Sequence, residues 1–411
     1  MQKVSGINFF KESTLESMNY WLVFAFCLIL PFNNRYITYL IIPWTILSIV
    51  IAINNKIKFK EVLNLSIYYL IFLSITVLSL AYTKDLNYGR KSLETMISLI
   101  IMPFLLLVLK KTISGQKVNY LIDSYIAGLL IYILVSLIVL FFRWDIADIA
   151  SYIKTDTITG TSSYLHLSPI LQKSYISMYL VWAIALILWR ITNLKDTRPV
   201  LFSAVPLVVF FLFVFALGSR AALLTMLIVI IFYMLKFLRR FPFWITISIT
   251  LAIVLLLIAG LFRFTRIGET VIALKEDPAS DKRIPQWTSA VEVVSKAPIF
   301  GYGVGDGLNE LIRQHEENGF EEDVKLRSNA HNQFLETATQ TGIMGMVSLL
   351  LILLVPLLES IKKRRELLFL IVSIIFINML FESLLVRIAG VLFIAFWMNF
   401  VSIDQGDPGS S

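Results

Sequence analysis

Charge is scarce in this chain. Asp, Glu, Lys and Arg make up 16% of its 411 residues, against 57% for the hydrophobic types. A soluble domain is nearer a quarter charged and half apolar, so an ordinary globular enzyme is excluded. Cysteine is reduced to one residue, Cys27, which rules out a disulfide framework within the chain. No Asp-x-Asp occurs, so a metal-dependent transferase would lack its usual ligands. The apolar stretches do not alternate with polar residues, and that removes a membrane β-barrel. No small-residue cleavage site follows the first apolar run, which is therefore expected to be a retained span.

What is abundant is apolar sequence in runs of about twenty residues, each long enough to cross a hydrocarbon core of roughly 30 Å as a helix. Spans are expected near 17–33, 37–53, 65–82, 92–109, 119–142, 174–189, 199–217, 221–237, 242–262, 342–358, 366–381 and 386–403. The expected fold class is an all-α polytopic membrane protein of about twelve transmembrane helices. It divides into 1–262, holding nine spans and a long connection at 143–173; a large loop at 263–341; and 342–411, with the last three spans and a short tail.

Lys and Arg in the short loops set the expected orientation. With the N-terminus in the cytoplasm, the inner loops carry sixteen cations, in groups at 56–60, 110–117, 190–198, 236–240 and 362–365. The short outer loops carry six: Arg35, Lys84, Arg90, Lys91, Arg220 and Arg387. The net charge of +8 is then mostly a topology signal and not a sign of a nucleic-acid partner. Both long connections face outward, and with them all three histidines, His166, His315 and His331.

The 263–341 loop holds thirteen of the chain's 28 acids and nine of its cations, so it is net acidic. Residues 281–296 read as an amphipathic helix, with Asp281 as cap, Pro285 in the first turn and an apolar stripe of Trp287, Ala290, Val291 and Val294. Next comes Gly301-Tyr-Gly-Val-Gly-Asp-Gly307, where four glycines predict a tight turn with exposed backbone. Ser328 or Asn329 can then cap a helix that places His331 in its first turn and leads, past Gly342, into a span. His315 lies among Arg313, Gln314, Glu316 and Glu317 and is expected to be solvated. The triplet Glu321-Glu322-Asp323 is expected to be a solvated loop face.

Three segments carry a resemblance. Gly218-Ser-Arg-Ala-Ala-Leu-Leu224 at a span start, Arg283-Ile-Pro-Gln-Trp287 followed by Pro298-Ile-Phe-Gly-Tyr-Gly303, and His331-Asn-Gln-Phe-Leu335 followed by Gly342 together resemble the O-antigen ligase and polymerase superfamily, over roughly 170–400. That resemblance implies a GT-C-like membrane fold, with the partly helical loop in the periplasm of a bacterial inner membrane and both termini cytoplasmic. It implies transfer of a glycan from undecaprenyl diphosphate to a hydroxyl of an acceptor glycolipid, either a lipid A-core sugar or another lipid-linked repeat unit. Arg220 and Arg283 match the family's diphosphate-binding arginines, and His331 its proposed catalytic histidine. Family members often carry a His-Pro-x-Tyr-like segment where this chain has Gln172-Lys173-Ser174-Tyr175, so Tyr175 is kept and Lys173 is a departure.

The chemistry agrees. Displacing a diphosphate from an anomeric carbon needs a group to take the acceptor's proton and cations to hold the leaving charge. Arginine supplies a fixed fork of donors for phosphate oxygens. Histidine titrates near neutrality and suits the base. No cofactor is required. Trp287 and Tyr302 can stack on sugar faces, and His166, in a Ser/Thr-rich stretch, is a further candidate contact. The ligase reading is preferred, with a polymerase as the alternative. A transporter or lipid flippase is the reading from another class. It predicts mid-span charges and two similar halves, and the sequence has neither.

Overall fold

A computed structural model describes residues 12–32, 34–113, 115–143, 167–193, 198–238 and 283–403. Among them every regular element is helical. The first six helices are α1 (Glu12–Ile29), α2 (Asn34–Asn54), α3 (Phe59–Leu78), α4 (Leu86–Met96), α5 (Ser98–Thr112) and α6 (Gly115–Arg143). Three follow the first long connection: α7 (Lys173–Asn193), α8 (Arg198–Leu217) and α9 (Arg220–Leu238). The loop contributes α10 (Arg283–Lys296), α11 (Gly307–Glu317) and α12 (Glu321–Leu326), and the chain closes with α13 (Gln333–Lys362), α14 (Glu366–Phe381) and α15 (Ile388–Ile403).

Seven of these stretches are long and apolar enough to cross a membrane, and four shorter apolar helices lie at 14–29, 204–217, 366–381 and 388–402. The chain is an all-α polytopic membrane protein. Eleven of the twelve expected spans fall on these helices, while 242–262 lies outside the described residues. The span expected near 92–109 is two helices, α4 and α5, meeting at Ile97. Outward faces are apolar: Ile42, Ile46, Ile49 and Ile53 make an exposed ridge along α2. In water such a ridge would be an association patch; in hydrocarbon it matches its solvent.

The core is centred on α7, whose residues from Tyr175 to Ile187 are all buried. Its small and aromatic side chains interlock with α6 and α15. Tyr179 stacks on Phe393 with ring centroids 4.7 Å apart, and Trp182 meets Trp397 edge-on at 5.6 Å. Each buried tyrosine hydroxyl here needs a partner in a medium without water. Tyr125 donates to the Tyr179 carbonyl at 2.9 Å, and Tyr179 to that of Ala389 at 2.8 Å.

Ion pairs mark one end of the bundle. Arg190 at the end of α7 bonds Asp123 and the Asn119 carbonyl near the start of α6. Lys236 near the end of α9 meets Glu366 at the start of α14 at 2.7 Å and Asn193 of α7 at 3.0 Å. Arg365 holds Glu359 at 3.1 Å and the Ser402 carbonyl at 2.6 Å. This basic end collects connections that the alternation of spans assigns to one side. The opposite end, the loop end, carries the turns 79–85, 217–220 and 382–387 together with the loop module.

Candidate functional site

The loop module is built around polar contacts. Gln286 of α10 donates to Asp323 at 2.8 Å, and Asn318 donates to Ser289 at 3.1 Å and Glu292 at 2.7 Å. These partners turn Gln286, Ser289, Ala290 and Val293 inward, where Ala290 and Val293 join Leu311 and Ala330 in a small core. The expected stripe is therefore divided between the module's core and its surface. Ala290 is buried, but Val291 is 55% exposed and, with Ile284, Trp287 and Thr288, lines an open groove of about 450 Å³. Tyr302 packs against the module's core. His315 is buried, not solvated, and among the described residues neither ring nitrogen has a hydrogen-bond partner. Burial lowers its pKa, against the opposing charge of Asp323. Asp323 itself turns inward, so the acidic triplet is only in part a solvated face.

The glycine-rich stretch is consumed by packing, contrary to the expected exposed turn. Gly342 breaks α13 with φ 66° and ψ −163°. The break frees backbone groups that clasp the stretch: Tyr302 N–H donates to the Thr339 carbonyl at 3.0 Å, Gly303 N–H to that of Gln340 at 2.8 Å, and Ile343 N–H to that of Pro298 at 2.8 Å. On its other side Asp306 accepts from the amides of Lys84 and Asp85, and Tyr82 donates to the Phe300 carbonyl at 2.6 Å. The module is thereby fixed to the loop end of α3 and α13.

His331 sits just ahead of α13. Asn332 caps that helix, accepting from the amides of Phe334 and Leu335 at 2.9 and 3.2 Å, so neither Ser328 nor Asn329 is the cap. His331 therefore precedes the first turn, in a left-handed conformation with φ 42°. Asn329 accepts its amide at 3.0 Å and holds that turn. The His331 Nδ1 lies 3.2 Å from Oε1 of Glu382, the residue after α14.

Glu382 is the hub of this end. Its other oxygen is 3.5 Å from the Gln172 side-chain nitrogen, and the Ser174 hydroxyl and the Arg283 charge also act on it. Burial alone would raise its pKa. The His331 hydrogen bond and charge, helped by Ser174 and Arg283, more than offset this and leave the carboxyl below its ordinary value. A depressed folded-state value means stability present above the ordinary glutamate pKa of about 4.3 and lost as pH falls through the lower folded value. Melting of the purified protein should steepen with acid in that window. The steepening should shrink in Glu382→Gln, and an identical acid dependence in that variant would sink the assignment.

Arg283 and Trp287, one turn apart on α10, both reach Phe381 at the end of α14. The guanidinium carbon lies 5.5 Å from the ring centroid, and the two rings are 6.3 Å apart. Tyr175 is buried and donates to the Ser383 carbonyl at 3.4 Å, which braces the turn beside Glu382. Lys173 opens the same helix. Arg220 opens α9 after Gly218, whose φ of 59° ends α8. Lys236, near the other end of α9, meets the first residue of α14, so these two helices run antiparallel. At ~1.5 Å rise per residue they have similar lengths. Arg220 therefore lies toward the end of the bundle where α14 finishes. His166 lies outside the described residues.

The sequence places Glu382 beside the last outer turn, where it could pair or contact ligand, and gives no sign of Gln172 and Ser174 as its partners. The available signal was an acid at a span end in a chain nearly free of span charges. Among the described residues no group of three or more His, Cys, Asp or Glu is placed to hold a metal ion.

Residues 205–350 match the family model described as O-antigen ligase. That range runs from α8 to the middle of α13 and contains Arg220, Arg283 and His331; Glu382 and α7 lie outside it. A stretch of 83 residues is 35% identical to an uncharacterized protein of Haemophilus influenzae, and the chain spans 20% of that relative's length.

Proposed function

We propose that the chain, whose residues 205–350 match the O-antigen ligase family model, transfers a glycan from undecaprenyl diphosphate to a hydroxyl of a lipid A-core sugar. The loop end of the bundle faces the periplasm in this reading, as the loop charges favour. One observation carries it. A histidine hydrogen-bonded to a buried carboxylate stands beside Arg283, at the same end of the bundle as Arg220.

In this scheme the acceptor oxygen attacks the anomeric carbon as the bond to the diphosphate oxygen breaks. The hydroxyl proton passes to His331 Nε2. The bonding pair leaves with undecaprenyl diphosphate, and Arg220 and Arg283 hold the growing charge. A single displacement inverts the anomeric configuration.

The test is transfer by purified protein given the lipid-linked donor and a core acceptor, without ATP, an ion gradient or added metal. One glycan per acceptor is expected. A ladder on the lipid carrier would make the chain a polymerase, and vectorial movement without product would overturn the enzyme reading. Arg283→Ala is expected to lower kcat/KM about 10- to 100-fold, the worth of a charge-assisted hydrogen bond. Arg283→Lys should recover little, because an ammonium lacks the planar fork. Full activity in both variants would remove Arg283 from the diphosphate site.

A further inference from the structure

Glu382 has no part in the scheme above, yet it is more deeply placed than the histidine it meets. Its side chain is 7% exposed, against 30% for His331. It sits on extended backbone between α14 and the short Leu384–Val386 turn, and that turn is anchored independently. Gln333 accepts the Leu385 amide at 2.6 Å, and Tyr175 holds the Ser383 carbonyl. Gln172, just before α7, reaches the oxygen that His331 does not, and Ser174 in the first turn of α7 also bonds the carboxylate. A buried carboxylate costs folding energy unless it is paired. The arrangement places that cost where it orients one ring.

We propose that Glu382 is a positioning residue for the transfer: it accepts the Nδ1 proton of His331 and so presents Nε2, with its lone pair, to the acceptor hydroxyl. The inference rests on the reading of His331 as the base. A neutral imidazole has one donor and one acceptor nitrogen, and the partner of one decides the role of the other. Left to itself, His331 divides between two tautomers and rotates about χ2. Held by Glu382, it has one tautomer and one ring orientation. When Nε2 takes the acceptor's proton, the carboxylate also stabilises the imidazolium that results. Glu382 neither meets the sugar nor takes the proton.

Glu382→Gln keeps the size of the side chain and loses its charge. We expect kcat to fall about 10- to 100-fold with the donor KM changed less than threefold. Glu382→Asp, which keeps the charge, should recover part of the rate. In a His331→Ala background, Glu382→Gln should cost nothing further, since it acts only through the ring. A purely structural role would instead lower the rate in both backgrounds, and that result overturns the proposal. Full activity in Glu382→Gln beside an inactive His331→Ala also overturns it while leaving the base intact. Full activity in His331→Ala defeats the underlying reading itself. Melting temperature and detergent-extracted yield identify misfolded variants, and Glu382→Asp then carries the comparison.

Discussion

His331→Ala should slow transfer about 10³- to 10⁴-fold, the upper range for loss of a general base. The donor KM should change little. An interaction made only as the proton moves lowers kcat and kcat/KM together, whereas loss of ground-state binding would raise KM. The expected loss is roughly 4–5.5 kcal/mol of transition-state stabilisation. His331→Gln separates two roles. It can still reach Glu382 and donate to a leaving oxygen, but it cannot accept a proton, so it should be nearly as slow as alanine if His331 is the base. Near-parental turnover in His331→Gln would reassign the residue to orienting the substrate. Single-turnover measurement, with enzyme in excess over the lipid-linked donor, isolates the chemical step from product release.

The conformation of this residue explains why its setting was only half legible. Lys and Arg counts in short loops separated the two ends, because a membrane sorts charge one loop at a time. Apolar run length located the helices that can be described, because hydrocarbon thickness sets a minimum length. The ordered Gly218-Ser-Arg, Arg283 and His331 segments pointed to one end of the bundle, and Arg283 and His331 meet there around Glu382. Local capping was less visible. Ser328, Asn329 and Asn332 are all competent caps, and the choice of Asn332 depends on Asn329 already holding the His331 amide. The face that α10 buries was also hidden. Its hydrophobic pattern favours Val291, but the partners that decide, Asp323 and Asn318, lie about thirty residues further along the chain. Glu382 was hardest of all, since its partners come from α7, α10 and the start of α13. A residue defined by three distant segments leaves no periodic mark in its own neighbourhood.

The largest effect on folding should come from Gly342→Ala. A Cβ at this position would lie 2.2 Å from the Ile299 carbonyl oxygen and 2.6 Å from the Phe300 nitrogen, both backbone atoms that cannot rotate away. The backbone itself, φ 66° and ψ −163°, is a conformation essentially reserved for glycine. Two outcomes are open to the alanine variant. Either α13 straightens through the break, or the 298–303 strap lifts off. Both forfeit the three clasping hydrogen bonds at Pro298, Thr339 and Gln340. Strain of about 1–3 kcal/mol and three bonds at about 0.5–1.5 kcal/mol each put the loss at roughly 3–7 kcal/mol. Gly319→Ala is the control. It too has positive φ, 74°, but nothing lies within 4 Å of its Cβ, so only backbone strain of about 1 kcal/mol is at stake. Gly342→Ala should melt far below Gly319→Ala in the same detergent. Equal melting would mean that the clasp contributes nothing. The clasp also ties together the two arms of the site, since the strap follows α10 with Arg283 and the broken helix follows His331. Protein that still folds should therefore lose transfer beyond its loss of yield, because the arginine and the histidine are then carried on segments no longer fastened to each other.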